Sequence, residues 1–203
     1  MAEYNPGVII QARLKSNRFP NKVLCPLLGK PVIRWVIEAC ERTKLPIIIA
    51  IPHSLSNQGI VSYLEEYCDR VNKHYSIYQG PEEDLVSRFR NANESMKFNP
   101  IIRVCADSPF VAAEDIKIAL EIYNKRKYFT QLNHVQVFGV DELEWVDQHD
   151  PFIASREHVV QAMHHTIDYP EDITRIQNEW KDGSPTMDGR KRLWGMLNDK
   201  KES

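Results

Sequence analysis

The sequence predicts an α/β fold with a mostly parallel sheet flanked by helices, and three observations predict it. Short apolar runs of strand length alternate with amphipathic segments of helical period through the first two thirds of the chain. The run Ile47-Ile-Ile-Ala-Ile51 is apolar throughout, which is the pattern of a parallel strand covered on both faces. Polar clusters follow three of the predicted strands directly, where open α/β sheets bind their ligands.

Gly7-Val-Ile-Ile-Gln-Ala12 reads as the first strand, followed by a loop rich in basic residues that reaches Gly29. Pro31 stands where a first helical position belongs, and Val32, Ile33, Val36, Ile37 and Cys40 form one apolar stripe behind it. Ser56 is the expected cap of a helix through about Arg70, with Ile60, Tyr63, Leu64 and Tyr67 inward. Tyr75 to Tyr78 is a third short strand, and a helix is expected from Pro81 to about Lys97. Ile101-Ile-Arg-Val-Cys105 is the fourth strand, followed by a helix near Ala113 to Arg126. Beyond Tyr128 come one or two short strands up to Phe138, then the acidic stretch Asp141 to Asp150. A helix near Ser155 to His164 leads into a strand His165 to Ile167, and Pro170 opens a final helix with acids in its first turn. After about Lys181 the chain is polar and reads as a loosely packed tail, so residues 1–181 are expected to form one domain and 182–203 its appendage.

Composition narrows the function classes. With 203 residues, 42% hydrophobic and 27% charged, the chain has the profile of a soluble globular protein able to bury a full core. No run approaches the roughly 20 apolar residues of a membrane span, and the N-terminus carries no secretion signal, so a cytoplasmic protein is expected. Cys25, Cys40, Cys68 and Cys105 are scattered, with neither CxxC pairs nor histidines at ligand spacing, and read as free thiols. The net charge of −2 argues against a nucleic-acid binder. Its distribution says more: Arg13, Lys15, Arg18, Lys22, Lys30 and Arg34 fall in the stretch from Tyr4 to Ile37, which contains no acidic residue. A basic segment on an acidic body suggests a local anion site.

The loop Arg13 to Lys22, the turn Asp107-Ser-Pro and the turn at Asp168 all fall at carboxyl ends of predicted strands. Four basic side chains on one loop, facing two carboxylates from separate strands, suit a polyphosphate and a divalent cation. Magnesium takes one or two carboxylates plus phosphate oxygens, and the basic side chains offset the remaining phosphate charge. Each element also has a simpler reading. A basic loop can be a solvated surface, Asp107 a turn former, and Asp168 a helix cap. Adjacent His164 and His165 point to opposite faces of a strand and are a weak metal signal.

The run IIQARLKSNRFPNKVLCPLLGKPVIRWVIEAC closely resembles the N-terminal signature of CMP-sugar synthetases, nearest the spore-coat-polysaccharide type and related to the KDO and acylneuraminate cytidylyltransferases. Ala12, Arg13, Ser16, Arg18, Pro20, Lys22 and Leu24 match that pattern, and GPEEDLVSRF, VCADSPF, SREHVV and HTIDYPED agree in order. The resemblance implies a nucleotide-diphospho-sugar transferase fold, GT-A-like and Rossmann-like. It implies CTP and a sugar or sugar acid as substrates and leaves room for a homodimer. By the same resemblance Ala12, Arg13, Ser16, Arg18 and Lys22 bind the nucleotide, with Arg13, Ser16 and Lys22 on the triphosphate and Arg18 supporting the loop. Asp107 and Asp168 hold Mg²⁺, and Arg13, Lys22, Asp107 and Asp168 form the catalytic set. Lys22, on a loop, is expected to be mostly solvated.

The expected reaction is attack of a sugar hydroxyl on the α-phosphorus of CTP with release of pyrophosphate. Departures from the pattern lie on the acceptor side. Ala106 stands where the family usually has Gly, and the stretch between Asp107 and Asp168 is short. Two other readings stay open on the residues: a GT-A-like transferase with another nucleotide or acceptor, and a trimmed, non-catalytic nucleotide-binding protein.

Overall fold

The computed structural model describes residues 3–16 and 18–149. The predicted helix Ser155 to His164, the strand before Asp168, the helix at Pro170 and the polar tail lie outside the described residues. Among the described residues, eight strands and five α-helices follow one another in the expected alternation. They are β1 (Gly7–Gln11), β2 (Pro26–Leu27), β3 (Lys30–Pro31), α1 (Val32–Glu41), β4 (Ile47–Pro52), α2 (Gln58–Val71), β5 (Ser76–Gly80), α3 (Leu85–Asn93), β6 (Ile101–Cys105), α4 (Ala113–Arg126), β7 (Thr130–Leu132), β8 (Val135–Phe138) and α5 (Val140–His149).

The main sheet has the order β5-β4-β1-β6-β8-β7. Its first four strands run parallel, whereas β8 pairs antiparallel with β6, and β7 antiparallel with β8. The chain builds outward from β1 to β4 and β5, then returns to place β6 on the other side of β1. The switch point of the sheet therefore lies between β1 and β6, and the carboxyl ends of those two strands are where open sheets of this kind bind their ligands.

Alternation along each strand divides the core between two faces. Val8, Ile10, Ile49, Ile51, Ile102 and Val104 face the inner stripes of α1, α2 and α4. Ile9, Ile48, Ala50 and Ile101 face α3 and α5, where Phe89 and Phe98 complete the layer. Gly7 marks a close approach on that side: a Cβ at this position would overlap the Phe98 ring, itself 1% exposed and unable to move aside. Gly7→Ala is expected to lose about 1–3 kcal/mol through overpacking, read as a lowered denaturant midpoint with an unchanged slope.

Two helix starts differ from the expectation, each for a local reason. Ser56 does not cap α2. Residues Leu55–Asn57 form a 3₁₀ turn, Ser56 Oγ shares a hydrogen bond with Ser54 Oγ, and the helix begins at Gln58. Likewise α3 begins at Leu85 rather than Pro81, because the Asp84 side chain caps it by accepting from Ser87 N at 2.9 Å. It stops at Asn93, whose amide side chain bonds both N–H and C=O of Phe98 and turns the chain away. The acidic stretch after Phe138 is helical: Glu142, in the first turn of α5, accepts from Phe129 N and Gly139 N. The four cysteines are free, and no described helix is long and apolar enough to cross a membrane.

Candidate active site

The basic loop leaves β1 at the switch point and is pinned at both ends. Ala12, 1% exposed, donates its N–H to Ala50 O at 3.0 Å and so extends the sheet by one residue. Leu14 N donates to the buried Asn57 Oδ1 at 2.7 Å, while Leu14 O accepts from Asn21 N at 3.0 Å. Asn57 is 0% exposed and is steadied in turn by its Nδ2 donating to Ser54 Oγ at 2.7 Å. That bond spends the Asn57 amide on the loop instead of on the helix it precedes. Within the loop, Ser16 Oγ accepts from Phe19 N at 3.2 Å, and Asn21 takes the left-handed conformation (φ 60°) that Asn tolerates well. Arg13, Lys15 and Arg18 are exposed along it.

Lys22 departs from the expectation of a solvated loop lysine. It opens a 3₁₀ turn, Lys22–Leu24, and is only 8% exposed. Its Nζ forms an ion pair with Asp107 Oδ2, both side chains being more than four-fifths buried. Asp107 reaches this position because β6 ends at Cys105. Ala106 N then donates to Gln11 O at 2.9 Å, and Ser108 N closes the turn on Cys105 O at 3.1 Å. Two of the sequence-predicted residues, from loops that follow different strands, thus meet in direct contact.

The electrostatics draw the same boundary. The Cys105 thiol is pushed up, first by burial; around it Arg103, Lys22 and Arg13 oppose that shift and Asp107 adds to it. Lys15 forms an exposed ion pair with Glu82 at 3.4 Å, linking the basic loop to the loop after β5. An exposed pair of that kind contributes little stability, but it shows that the two loops adjoin. Asp168 lies outside the described residues, and among the described residues no three His, Cys, Asp or Glu side chains form a metal cage.

The residues missed by sequence reasoning are polar groups inside strands and helices. Arg88 on α3 is 2% exposed; its Nη1 donates to Pro81 O at 2.6 Å and Glu82 O at 3.2 Å, holding the loop after β5. Its pKa is driven down to about 10, by burial first and then by Arg13 and Arg103. Arg103 in β6 bonds Gln11 of β1 and Gln136 of β8. A charged residue in the otherwise apolar run IIRVC was the one available signal for this group.

A sequence profile described as cytidylyltransferase matches residues 7–169, well over half of the chain. The chain belongs to the cytidylyltransferase family. It is 27% identical over 149 residues to a 3-deoxy-manno-octulosonate cytidylyltransferase of Bartonella bacilliformis, which covers 73% of this chain and 58% of the relative. It is 28% identical over 121 residues to the spore coat polysaccharide biosynthesis protein SpsF of Bacillus subtilis, covering 57% of this chain and 48% of that protein. The chain thus spans about half to three fifths of the length of these curated relatives. Among solved structures, a cytidylyltransferase from Leptospira borgpetersenii superimposes with a TM-score of 0.72 at 17% identity, over 98% of this chain and 95% of that one. At that identity the likeness speaks for the fold, which is the nucleotide-diphospho-sugar transferase architecture that the N-terminal resemblance implied.

Proposed function

We propose that the protein transfers CMP from CTP to a sugar acid, releasing pyrophosphate, with Mg²⁺ as the divalent cation. The observation that carries this reading is the ion pair between Lys22 and Asp107 at the sheet's switch point. A nearly buried pair is a costly way to gain stability, but it is a sensible way to store two charges that a ligand later separates. When CTP binds, Lys22 would exchange the Asp107 carboxylate for a phosphate oxygen, and Asp107 would be available to hold a divalent cation.

The donor set fits such an ion. Asp107 is a hard oxygen ligand beside a basic loop, and with the Asp168 carboxylate and phosphate oxygens it would hold such an ion. The cation would neutralise charge developing on the phosphates and help orient them. Arg13 presents a fork suited to two phosphate oxygens, Lys22 a point charge, and Ser16 a hydroxyl beside them, with Arg18 supporting the loop. Because in-line transfer at phosphorus needs little covalent help, these residues act by positioning and charge compensation.

In this reading residues 1–181 are the nucleotidyltransferase unit and 182–203 an appendage, and the protein works in the cytoplasm, where CTP is at hand. The alternatives, another nucleotide or a non-catalytic protein, are separated by one measurement. CTP with Mg²⁺ is expected to raise the melting temperature, since a ligand bound only by the native state adds to its stability. CTP without a divalent cation should do so weakly, and ATP or GTP less than CTP. Equal stabilisation by ATP or GTP would overturn the cytidylyl assignment. Stabilisation by CTP without pyrophosphate release, across a panel of sugar acids, would leave a binding protein.

A further inference from the structure

Beside the Lys22–Asp107 pair, on the face of the sheet covered by α3, lies a second cationic group that the triphosphate reading does not use. Arg103 is 7% exposed and sits opposite Gln136 in the β6–β8 ladder. Its Nε and Nη2 donate to Gln11 Oε1 at 3.0 and 2.7 Å, and its Nη1 to Gln136 Oε1 at 2.5 Å. Arg88, from α3, is 2% exposed and donates only to backbone carbonyls, while its Nε has no partner among the described residues. Its pKa is lowered by burial, by Arg13 and by Arg103, so the three guanidiniums feel one another.

This arrangement is unusual in its charge balance. Buried charges are ordinarily paired, because leaving a cation without a counter-ion in a poorly solvated place is costly. Among the described residues Arg103 meets two neutral amides and an aromatic face, Phe89, at 6.0 Å, but no carboxylate. A guanidinium carries five N–H donors, and the three bonds above leave two of them unspent. Gln11 meets Arg103 through its amide oxygen, a neutral acceptor that leaves the guanidinium charge uncompensated. Among the described residues Arg103 therefore has more donors than acceptors to take them, and no negative charge to balance it. The partly exposed Gln11 and Cys105 bring it to the same carboxyl edge of the sheet as Asp107.

From this imbalance we infer that Arg103, set by Gln11 and Gln136 and backed by Arg88, receives the carboxylate of the acceptor sugar acid. The inference rests on the transfer reading above. A planar carboxylate matches the guanidinium fork, and Arg103 lies within the sheet, on β6 opposite Gln136 of β8, rather than on the loop assigned to the triphosphate. Arg103 is thus a residue of acceptor specificity, and Gln11 and Gln136 position it.

The test uses the full chain with CTP, Mg²⁺ and two probes, 3-deoxy-manno-octulosonate and N-acetylneuraminate, each also as its methyl ester. For whichever acid the wild type takes, the acid is expected to be used with a KM about 10- to 100-fold below that of its ester, the factor expected for a lost charge-assisted bond. Arg103→Lys keeps the charge but loses the fork, and Arg103→Gln loses both. Each is expected to raise the acceptor KM by a similar factor while leaving the KM for CTP within about twofold. Ester and acid used alike by the wild type, a folded Arg103→Lys with an unchanged acceptor KM, or a rise in the CTP KM instead would each overturn the inference, and the first needs no variant to fold. Calorimetry with the acids keeps the two proposals apart. Acid binding that Arg103→Lys weakens at least tenfold supports the carboxylate site even where pyrophosphate release fails, a failure that would sink the transfer reading alone. No binding of either acid overturns the carboxylate site.

Discussion

Asp107→Asn is expected to reduce pyrophosphate release by about two to three orders of magnitude at saturating CTP, since the electrostatic help of a well-placed divalent cation is worth several kcal/mol. The substitution keeps the shape of the side chain and removes the charge a hard cation requires. Asparagine also occupies turns readily, so a residue serving only the Cys105–Ser108 turn would tolerate the change. The geometry adds a second expectation. Lys22 loses the Asp107 carboxylate from a nearly buried ion pair, so the unliganded variant should melt earlier than the wild type. An Asn oxygen can still accept from Nζ, which keeps that loss to about 1–3 kcal/mol. The added stability from CTP with Mg²⁺ should fall toward the value seen with CTP alone. If Asp168 is the second ligand, Asp107→Asn combined with Asp168→Asn should be scarcely worse than either alone, because groups acting as a unit are not additive. Turnover within twofold of wild type in folded Asp107→Asn would return this residue to the role of a turn former.

The main frame of the fold was legible because its signals are local and repetitive. The β6 run Ile101-Ile-Arg-Val-Cys105 and the α4 run Ala113 to Arg126 have the expected bounds, since both are framed by turn formers and carry an unambiguous period. The two helix starts that moved are the places where a polar side chain had a competing partner. Asn57 is spent on Leu14 N, 43 residues away, and no pattern around residue 57 announces that bond. Arg88 draws the carbonyls of Pro81 and Glu82 into a loop, so a stretch with acceptable helical residues does not become helical.

The site was legible to the extent that it lies on loops following strands. Resemblance directed attention to Lys22 and Asp107, and topology brings them together, but neither could foretell that they touch each other. Lys22 reads as solvated because it lies on a loop, where a long charged side chain is usually in water. It is buried because the 3₁₀ turn beginning at Lys22 carries it against the turn after β6. Arg103 was passed over for the opposite reason. It sits in a run that reads as core, and only the register opposite Gln136, with Gln11 on the neighbouring strand, shows that the edge of that core is polar.

Lys22→Met is the sharper companion of Lys22→Ala, because the buried stem and the buried charge contribute separately. Both substitutions remove a charge-assisted phosphate contact, and both are expected to weaken CTP binding about tenfold to a hundredfold in the presence of Mg²⁺, by roughly 1.5–3 kcal/mol. They should differ in the unliganded protein. Alanine loses the methylene stem, which lies in a position only 8% exposed, as well as the partner of Asp107. Methionine keeps most of the stem volume and loses only the ammonium, so its melting temperature should lie between those of alanine and wild type. Asp107, freed of its lysine in either variant, retains its charge and should still take a divalent cation, so raising Mg²⁺ should recover part of the lost CTP affinity. A lysine that merely packs against the turn would give another pattern. Stability would fall in Lys22→Ala, CTP affinity would be unchanged in folded Lys22→Met, and added Mg²⁺ would have no effect. That pattern would remove Lys22 from the nucleotide site and leave the ion pair as a structural contact between two loops.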